Sequence, residues 1–250
     1  MGRITDSVKV LLIINILFYI GSMALGNGAY ELFALYFPLN ENFHVWQLVT
    51  HMFMHDPGSI THILFNMFML YMFGSQMEHH LGQKKFLFLY FSAGLGATGL
   101  QLLFSFISFS PGYEAFIASG FSHQEIITFL SQGEYSSRVL ELVSQETINN
   151  TFRTFITTSI GASGAVFGLL AAFMILYPNL PLMIIFIPIP IKAKYLIGGY
   201  FLLNVFSAVS GVSLVGPANT AYWAHIGGAL IGFIMMWYWK KNSFNKHRWY

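Results

Sequence analysis

Six long apolar stretches constrain the fold of this sequence more than any other feature. They cover residues 8–25, 60–81, 86–109, 155–177, 195–215 and 222–239. Each approaches or exceeds the roughly 20 apolar residues that a helix needs to cross a membrane. Only 9% of the chain is charged, against about 25% in soluble domains, so a water-facing surface could not be covered. We therefore predict an all-α membrane protein with six transmembrane helices, and we exclude a soluble enzyme, a nucleic-acid binder and a disordered chain.

Two apolar segments allow more than one interpretation, the run 182–191 and the first of the six stretches. The run 182–191 is short and contains Pro188 and Pro190, which lack a backbone donor, so we predict a connecting loop at the membrane surface. The first stretch could be mistaken for a signal peptide, because Ser22 and Ala24 loosely resemble a cleavage site. Since five other stretches already commit the chain to the bilayer, we interpret it as a retained helix.

The basic residues indicate the orientation, because they collect on the cytoplasmic side of membrane proteins. With the N-terminus in the cytoplasm, only Arg138 and Arg153 fall outside. The remaining basic residues then lie inside: Arg3, Lys9, Lys84, Lys85, Lys192, Lys194, Lys240, Lys241, Lys246 and Arg248. This predicts a cytoplasmic N-terminus (1–7), a membrane domain (8–240) and a basic cytoplasmic tail (241–250). The expected location is a bacterial inner membrane, and the tail is expected to meet anionic lipid rather than nucleic acid.

Two outer segments are too long to be simple turns. Residues 26–59 mix large aromatic side chains with histidines, and we expect this first outer loop to lie half embedded in the headgroup region. The outer insert 110–154 contains Ser122 followed by Glu125, which reads as a capping box. Its residues Val139, Leu142 and Val143 keep helical spacing. We predict a helical cap outside the membrane.

Polar residues inside spanning helices indicate function by default, because lipid does not stabilise them. The second stretch carries His62 and Asn66, which are four residues apart and share a helix face. The fourth contains Ser163 between Gly161 and Gly164, and the sixth contains His225 near its start. All three stretches run from outside to inside, so these residues are expected at one depth.

Glycine pairs provide the means for two of these helices to meet. Gly164 and Gly168 follow Ser163, and Gly228 and Gly232 follow His225, each pair with the spacing that lets membrane helices pack closely. We predict that the helices cross at the glycines and bring Ser163 within hydrogen-bond distance of the His225 ring.

A serine paired with a histidine is typical of nucleophilic catalysis, in which the imidazole removes and later returns the hydroxyl proton. The oxyanion that develops needs donors, and backbone N–H groups at the start of the Ser163 helix are free. Asn66 and His62 are further candidate donors. Apart from Glu78, at the inner end of its helix, no spanning carboxylate can orient His225, so the sequence predicts a dyad rather than a triad.

Three strings together carry a resemblance to a known family. The chain contains HILFN in its second stretch, GASG in the fourth and AHIGG in the sixth. In this order, on like-directed helices, they resemble the rhomboid intramembrane serine proteases. The resemblance covers nearly all of the chain, including the large loop after the first helix.

The resemblance implies a serine endopeptidase that cuts other membrane proteins within or near their transmembrane segments, on the outer side. It implies Ser163 as nucleophile, His225 as general base and acid, and an oxyanion site of His62, Asn66 and the Ser163 backbone. Gly161 and Phe167 are additional candidate substrate-binding residues. No cofactor or metal is implied, and the expected partners are transmembrane substrates and lipid.

The sequence departs from the family pattern in four places. Gln47 stands after Trp46 where the family has arginine, and Phe167 stands where many members have tyrosine on the catalytic imidazole. The loop before His62 is two residues longer, and the insert 110–154 is much longer. Because that insert lies on the active-site side, we hypothesise that it shapes substrate entry.

Two other readings remain open. His51, His55 and His62 could form a metal site, although no HExxH string and no additional ligand support it. A catalytically idle relative that binds transmembrane helices would use the same fold. That relative would have no chemical reason to retain both Ser163 and His225.

Overall fold

The computed structural model describes residues 3–133, 137–184, 187–217 and 219–245. Twelve α-helices and one hairpin account for most of them. The helices are α1 (Asp6–Leu25), α2 (Asn27–Phe33), α3 (Gln47–Thr50), α4 (Ile60–Met69), α5 (Ser75–Leu81), α6 (Gln83–Ala118), α7 (His123–Gln132), α8 (Ser137–Leu142), α9 (Gln145–Ile156), α10 (Ser163–Leu176), α11 (Ala193–Ser210) and α12 (Tyr222–Asn245). The predicted basic tail lies partly outside the described residues, from 246 onward.

The helix boundaries correct several predicted stretches. Helices α4 and α5 are joined by a π turn, Leu70–Gly74, so the second stretch is continuously helical over the predicted residues. The fourth stretch is helical in two separate pieces, because α9 ends at Ile156 and α10 begins only at Ser163. The fifth ends at Ser210, before Gly211 at φ +71°, a backbone conformation that favours glycine. The third and sixth continue beyond their predicted ends.

The run predicted as a loop, 182–191, instead takes part in an antiparallel hairpin. Strands β1 (Pro181–Ile184) and β2 (Ile187–Lys192) pair through Leu182 and Ile191. The loop prediction was wrong because a two-stranded hairpin has only edge strands, where proline is tolerated.

Two helices are long and apolar enough to cross a membrane by length and composition, Asp6–Leu25 and Gln83–Ala118, with mean hydropathies of 2.1 and 1.5. Ser163–Leu176 is apolar but shorter. The number of such helices, two, applies to the described residues only. Large apolar side chains also face outward on other helices, including Leu202 at 66% and Val209 at 73% exposure on α11. Such faces require apolar surroundings.

The main core lies between α1, the α4–α5 segment, α6 and α10. Its most buried members include Leu70, Phe86, Leu89 and Leu169. Glu78, the carboxylate noted above, lies at the edge of this core and away from Ser163. It accepts hydrogen bonds from the Thr5 hydroxyl and from the backbone N–H groups of Ser7 and Val8, and so satisfies the free donors at the start of α1.

The predicted cap is helical and has its own apolar core. Helices α7, α8 and α9 pack on the C-terminal part of α6, and Ser122 and Glu125 form the capping box. Phe37 of the first outer loop is buried in the same cluster. The cap is therefore packed against both α6 and the first loop.

Candidate active site

The connector that leads into α10 is held by the first outer loop. Leu35 and Ser159 exchange two backbone hydrogen bonds of 3.0 and 2.9 Å, and the N–H of Gly161 donates to the carbonyl of His51 at 2.9 Å. Gly161 has φ +118°, in the region that other residues rarely adopt. Ser163 therefore begins its helix from a connector fixed at two points.

Close packing between α10 and α12 depends on the predicted glycines. A Cβ on Gly228 would lie 1.9 Å from the carbonyl oxygen of Gly164, and one on Gly232 would lie 2.1 Å from that of Gly168. Only glycine allows this backbone approach. Ala93 of α6 packs against the same crossing, because a Cβ on Gly168 would lie 2.2 Å from the Ala93 Cβ. Helix α6 is therefore a third close-packed helix behind the pair.

The structure brings Ser163 and His225 together. Ser163 Oγ lies 2.9 Å from His225 Nε2, a normal hydrogen-bond distance. The imidazole is 7% exposed. The two residues are 62 positions apart in sequence, and they meet beside the glycine crossing, where Gly164 directly follows Ser163 and Gly228 lies one turn after His225.

The Phe167 ring lies flat on the His225 imidazole. Their centroids are 4.1 Å apart and the planes differ by 10°. Tyr200 of α11 also stacks on Phe167, with a centroid distance of 5.2 Å. An aromatic ring is thus retained on the imidazole without the tyrosine hydroxyl of many family members.

Asn204 is a residue of the site that the sequence reasoning missed. Its side chain is completely buried, and its Oδ1 lies 2.8 Å from His225 Nδ1. The prediction of an unassisted Ser163–His225 pair considered only carboxylates as orienting groups. The available signal was the presence of an amide side chain inside the fifth apolar stretch, which is costly in lipid.

His62 lies near Gly161 and Ser163, and Asn66 is buried on α4, four residues after His62. An ideal Cβ on Gly161 would be 3.0 Å from His62 Nε2 and 3.8 Å from Ser163 Oγ, so these groups surround one small space. The Asn66 Nδ2 donates to the His62 carbonyl at 2.9 Å. Because an amide nitrogen carries two hydrogens, a second one is available.

Two histidines of the first loop, His51 and His55, are buried. His51 Nδ1 donates to the Gln47 carbonyl at 2.7 Å, and the His55 ring lies 5.1 Å from that of His62. Burial lowers the pKa of His51 to about 4 and that of His55 to about 3, because the charged ring is poorly solvated there. Within the described part of the chain, no group of three or more His, Cys, Asp or Glu residues is placed to hold a metal ion.

Gln47 anchors the first loop where the family has arginine. Its Nε2 donates to the carbonyls of Glu31 and Asn42 at 2.9 and 2.8 Å. Its Oε1 accepts from the backbone N–H of His44 at 3.2 Å and of Tyr36 at 3.4 Å. A fully buried neutral amide thus connects four backbone groups across the loop.

A small cavity of about 20 Å³ adjoins Ser163. His51, Thr98, Gln101 and Ser159 provide polar groups in its lining, and the buried Gln101 Oε1 has no hydrogen-bond partner there. A polar cavity of this size can hold one water molecule. A larger cavity of about 400 Å³ lies beside the π turn and includes neither Ser163 nor His225 in its lining.

Comparison with known proteins gives the family. A model described as Rhomboid domain matches residues 42–242. The chain is also 35% identical over 80 residues to "Rhomboid protein 1, mitochondrial" of Saccharomyces cerevisiae, a match that covers 32% of this chain and 22% of the yeast protein. With the helical fold described above, these matches define a membrane protein of the rhomboid class.

This chain belongs to the rhomboid family, as its three strings predicted. It spans less than a quarter of the yeast relative's length in that match. Because that relative is mitochondrial by name, a bacterial inner membrane stays a prediction from the sequence.

Proposed function

We propose that this protein is an intramembrane serine endopeptidase in which Ser163 is the nucleophile and His225 the general base and acid. The observation that carries the proposal is the 2.9 Å hydrogen bond between Ser163 Oγ and His225 Nε2. A hydroxyl is a weak nucleophile, and an adjacent base activates it by removing its proton during attack. Retention of both groups in contact favours a protease over a helix-binding relative without activity.

The reaction proceeds in two acyl-transfer steps. Ser163 Oγ attacks the scissile carbonyl carbon while its proton passes to His225 Nε2, and the proton then goes to the departing amine as the C–N bond breaks. Water attacks the resulting ester, gives its proton to His225, and the proton returns to Ser163 Oγ as the new acid leaves. The small polar cavity beside Ser163 supports this second step because it has room for a water molecule.

The oxyanion formed in each step requires donors that are already in place. The start of α10 supplies the backbone N–H of Ser163, which has no helical partner at this position. The second amide hydrogen of Asn66 and a ring N–H of His62 complete the set. Gly161 leaves the space between His62 and Ser163 open, since any side chain there would approach the imidazole closely.

The substrate is another membrane protein, cut within or near its transmembrane segment. We propose six membrane crossings. Two of them are α1 and α6, which are long and apolar enough to span a membrane by length and composition. The other four are the α4–α5 segment, α10, α11 and α12. Lys85 lies 5.9 Å from the Trp239 ring centroid, and Lys241 lies 5.3 Å from that of Trp237. This basic and aromatic end is typical of a cytoplasmic interface, which supports cytoplasmic termini and a site near the outer side.

Labelling with a serine-reactive phosphonate in detergent, followed by mass spectrometry, tests the proposal. We expect an adduct on Ser163 and cleavage of a transmembrane substrate, both absent in Ser163→Ala. Ser108→Ala is the matched control, since Ser108 is an exposed serine on α6, and it should behave as wild type. Full cleavage by a folded Ser163→Ala protein would overturn the proposal.

A further inference from the structure

Asn204 is a buried amide on a helix whose other side chains are mostly apolar. The buried residues of α11 are Ala193, Ile197, Asn204 and Ser207, which lie along one face. Burying an amide without hydrogen bonds is unfavourable. Both ends of this amide are satisfied, one by its own helix and one by His225.

The Tyr200 carbonyl determines which end of the Asn204 side chain is the nitrogen and which is the oxygen. The nitrogen at one end of the Asn204 side chain lies 2.8 Å from the carbonyl oxygen of Tyr200. A carbonyl oxygen can only accept, so this end must be the NH₂ group. The other end, which faces His225 Nδ1, must therefore be the oxygen, and it can only accept as well.

This polarity decides the protonation of the imidazole. Because Asn204 Oδ1 accepts, His225 Nδ1 must carry the hydrogen, at the observed distance of 2.8 Å. A neutral imidazole carries one N–H, so Nε2 is left with a lone pair. That lone pair faces the Ser163 hydroxyl at 2.9 Å. The hydrogen bonds thus run in one direction, from Ser163 through His225 and Asn204 to the Tyr200 carbonyl.

The opposite tautomer has no low-energy arrangement. With the hydrogen on Nε2, the Nδ1 lone pair would face the lone pairs of Asn204 Oδ1. Rotating the amide would remove that conflict but would put Oδ1 against the Tyr200 carbonyl oxygen. Either arrangement leaves buried acceptors facing each other, and an unmade buried hydrogen bond is expensive.

We infer that Asn204 is a positioning residue that holds His225 in the Nδ1–H tautomer, so that Nε2 is ready to accept the Ser163 proton. The inference rests on the proposed function, because it assigns Nε2 as the base. Asn204 acts through His225 and does not touch the reacting atoms. When His225 becomes protonated, the same oxygen accepts from a charged and therefore stronger donor.

The tautomer can be measured without activity, in the full-length protein labelled with ¹⁵N-histidine in detergent micelles. His225→Ala assigns the His225 signals in the ¹⁵N spectrum. We expect Nδ1 to have the chemical shift of a protonated nitrogen in the wild type, and the protonated signal to move partly or wholly to Nε2 in Asn204→Leu. Protonation at Nε2 in the wild type would overturn the inference, whether or not the protein is a protease.

Kinetics provide the second measurement. Asn204→Leu should lower kcat by up to about 10⁴-fold, the loss found when a serine protease loses the group that holds its histidine in the correct tautomer. KM should change little because Asn204 does not contact substrate. Asn204→Asp should retain far more kcat than Asn204→Leu, because a carboxylate oxygen can only accept and therefore still holds the hydrogen on His225 Nδ1.

Ser207→Ala is the matched control. Ser207 is buried on the same face of α11, and its Oγ accepts a hydrogen bond from the Leu214 backbone N–H. Its removal should affect thermal stability but not kcat or the His225 tautomer. A wild-type kcat in a folded Asn204→Leu protein would refute the inference, while an inactive wild type without a Ser163 adduct would refute the proposed function instead. If Asn204→Leu does not fold, Asn204→Asp and the wild-type spectrum decide the question.

Discussion

Gly228→Ala tests whether the close approach of α10 and α12 sets the geometry of the site. The added Cβ would lie 1.9 Å from the Gly164 carbonyl oxygen, whereas real Cβ atoms essentially never come within 3.0 Å of another heavy atom. The two backbones must therefore separate by about 1 Å even to reach that limit. Overpacking of this kind costs about 1–3 kcal/mol of stability.

The displacement falls directly on the proposed catalytic pair. Gly164 is the neighbour of Ser163, and Gly228 is one turn from His225. A separation of about 1 Å would lengthen the 2.9 Å hydrogen bond beyond the range in which a proton is readily transferred. Misplacement by this amount can lower an enzymatic rate about 100-fold, so we expect at least that loss of kcat.

Cleavage of a fluorogenic transmembrane substrate and the rate of Ser163 labelling measure the effect, with thermal melting to monitor folding. Gly99→Ala is the neutral control, because a Cβ on this helical glycine meets no heavy atom within 4 Å. Gly232→Ala is the matched control, with a Cβ placed 2.1 Å from the Gly168 carbonyl oxygen and farther from the pair.

We expect Gly228→Ala and Gly232→Ala to lose similar stability, and Gly228→Ala to lose more activity. A wild-type rate in Gly228→Ala would refute the reasoning. Equal loss of rate in both variants would show that general loosening, and not the position of the collision, limits catalysis.

Three further predictions concern the donors and the first loop. Asn66→Ala should lower kcat about 10²- to 10³-fold if its amide donates to the oxyanion, and an unchanged rate in a cleavage assay would remove it from the site. Gln47→Leu removes the hydrogen bonds to four backbone groups and leaves buried donors and acceptors unpaired, so its melting temperature should fall by several degrees, and equal melting temperatures would contradict an anchoring role. His51 and His55 are held neutral by burial, with pKa values of about 4 and 3 against 6.5 when exposed. Below pH 6.5 the unfolded chain therefore binds more protons than the folded protein. The free energy of unfolding should decrease as pH falls from 6.5 toward 4. Melting temperatures that stay constant over that pH range would contradict this prediction.

Some residues of the site could be predicted from the sequence, and one could not. Ser163 and His225 were identifiable because each is a polar residue in an apolar stretch and each is followed by glycines at helical spacing. Phe167 lies one helical turn after Ser163, so its place beside the imidazole follows from the same periodicity. Asn204 was missed because only carboxylates were considered as partners of the histidine.

The start of α10 shows why helix boundaries were harder to predict. Residues 155–162 are apolar enough to extend a helix, yet the backbone of Ser159 pairs with Leu35 and that of Gly161 with His51. These long-range hydrogen bonds compete with helical ones and cannot be read from local periodicity. As a result, Ser163 is the first residue of its helix, where backbone donors remain free.

Apolar length, glycine spacing and the three short strings are local properties, so they were enough to establish a helical membrane protein of the rhomboid family. Tertiary structure decided which distant residues meet. It placed Asn204 against His225, Glu78 at the start of α1, and Gln47 among the backbone groups of the first loop. The physical reason is that periodicity defines the face on which a side chain lies, whereas its partner depends on how whole helices rotate and pack against each other.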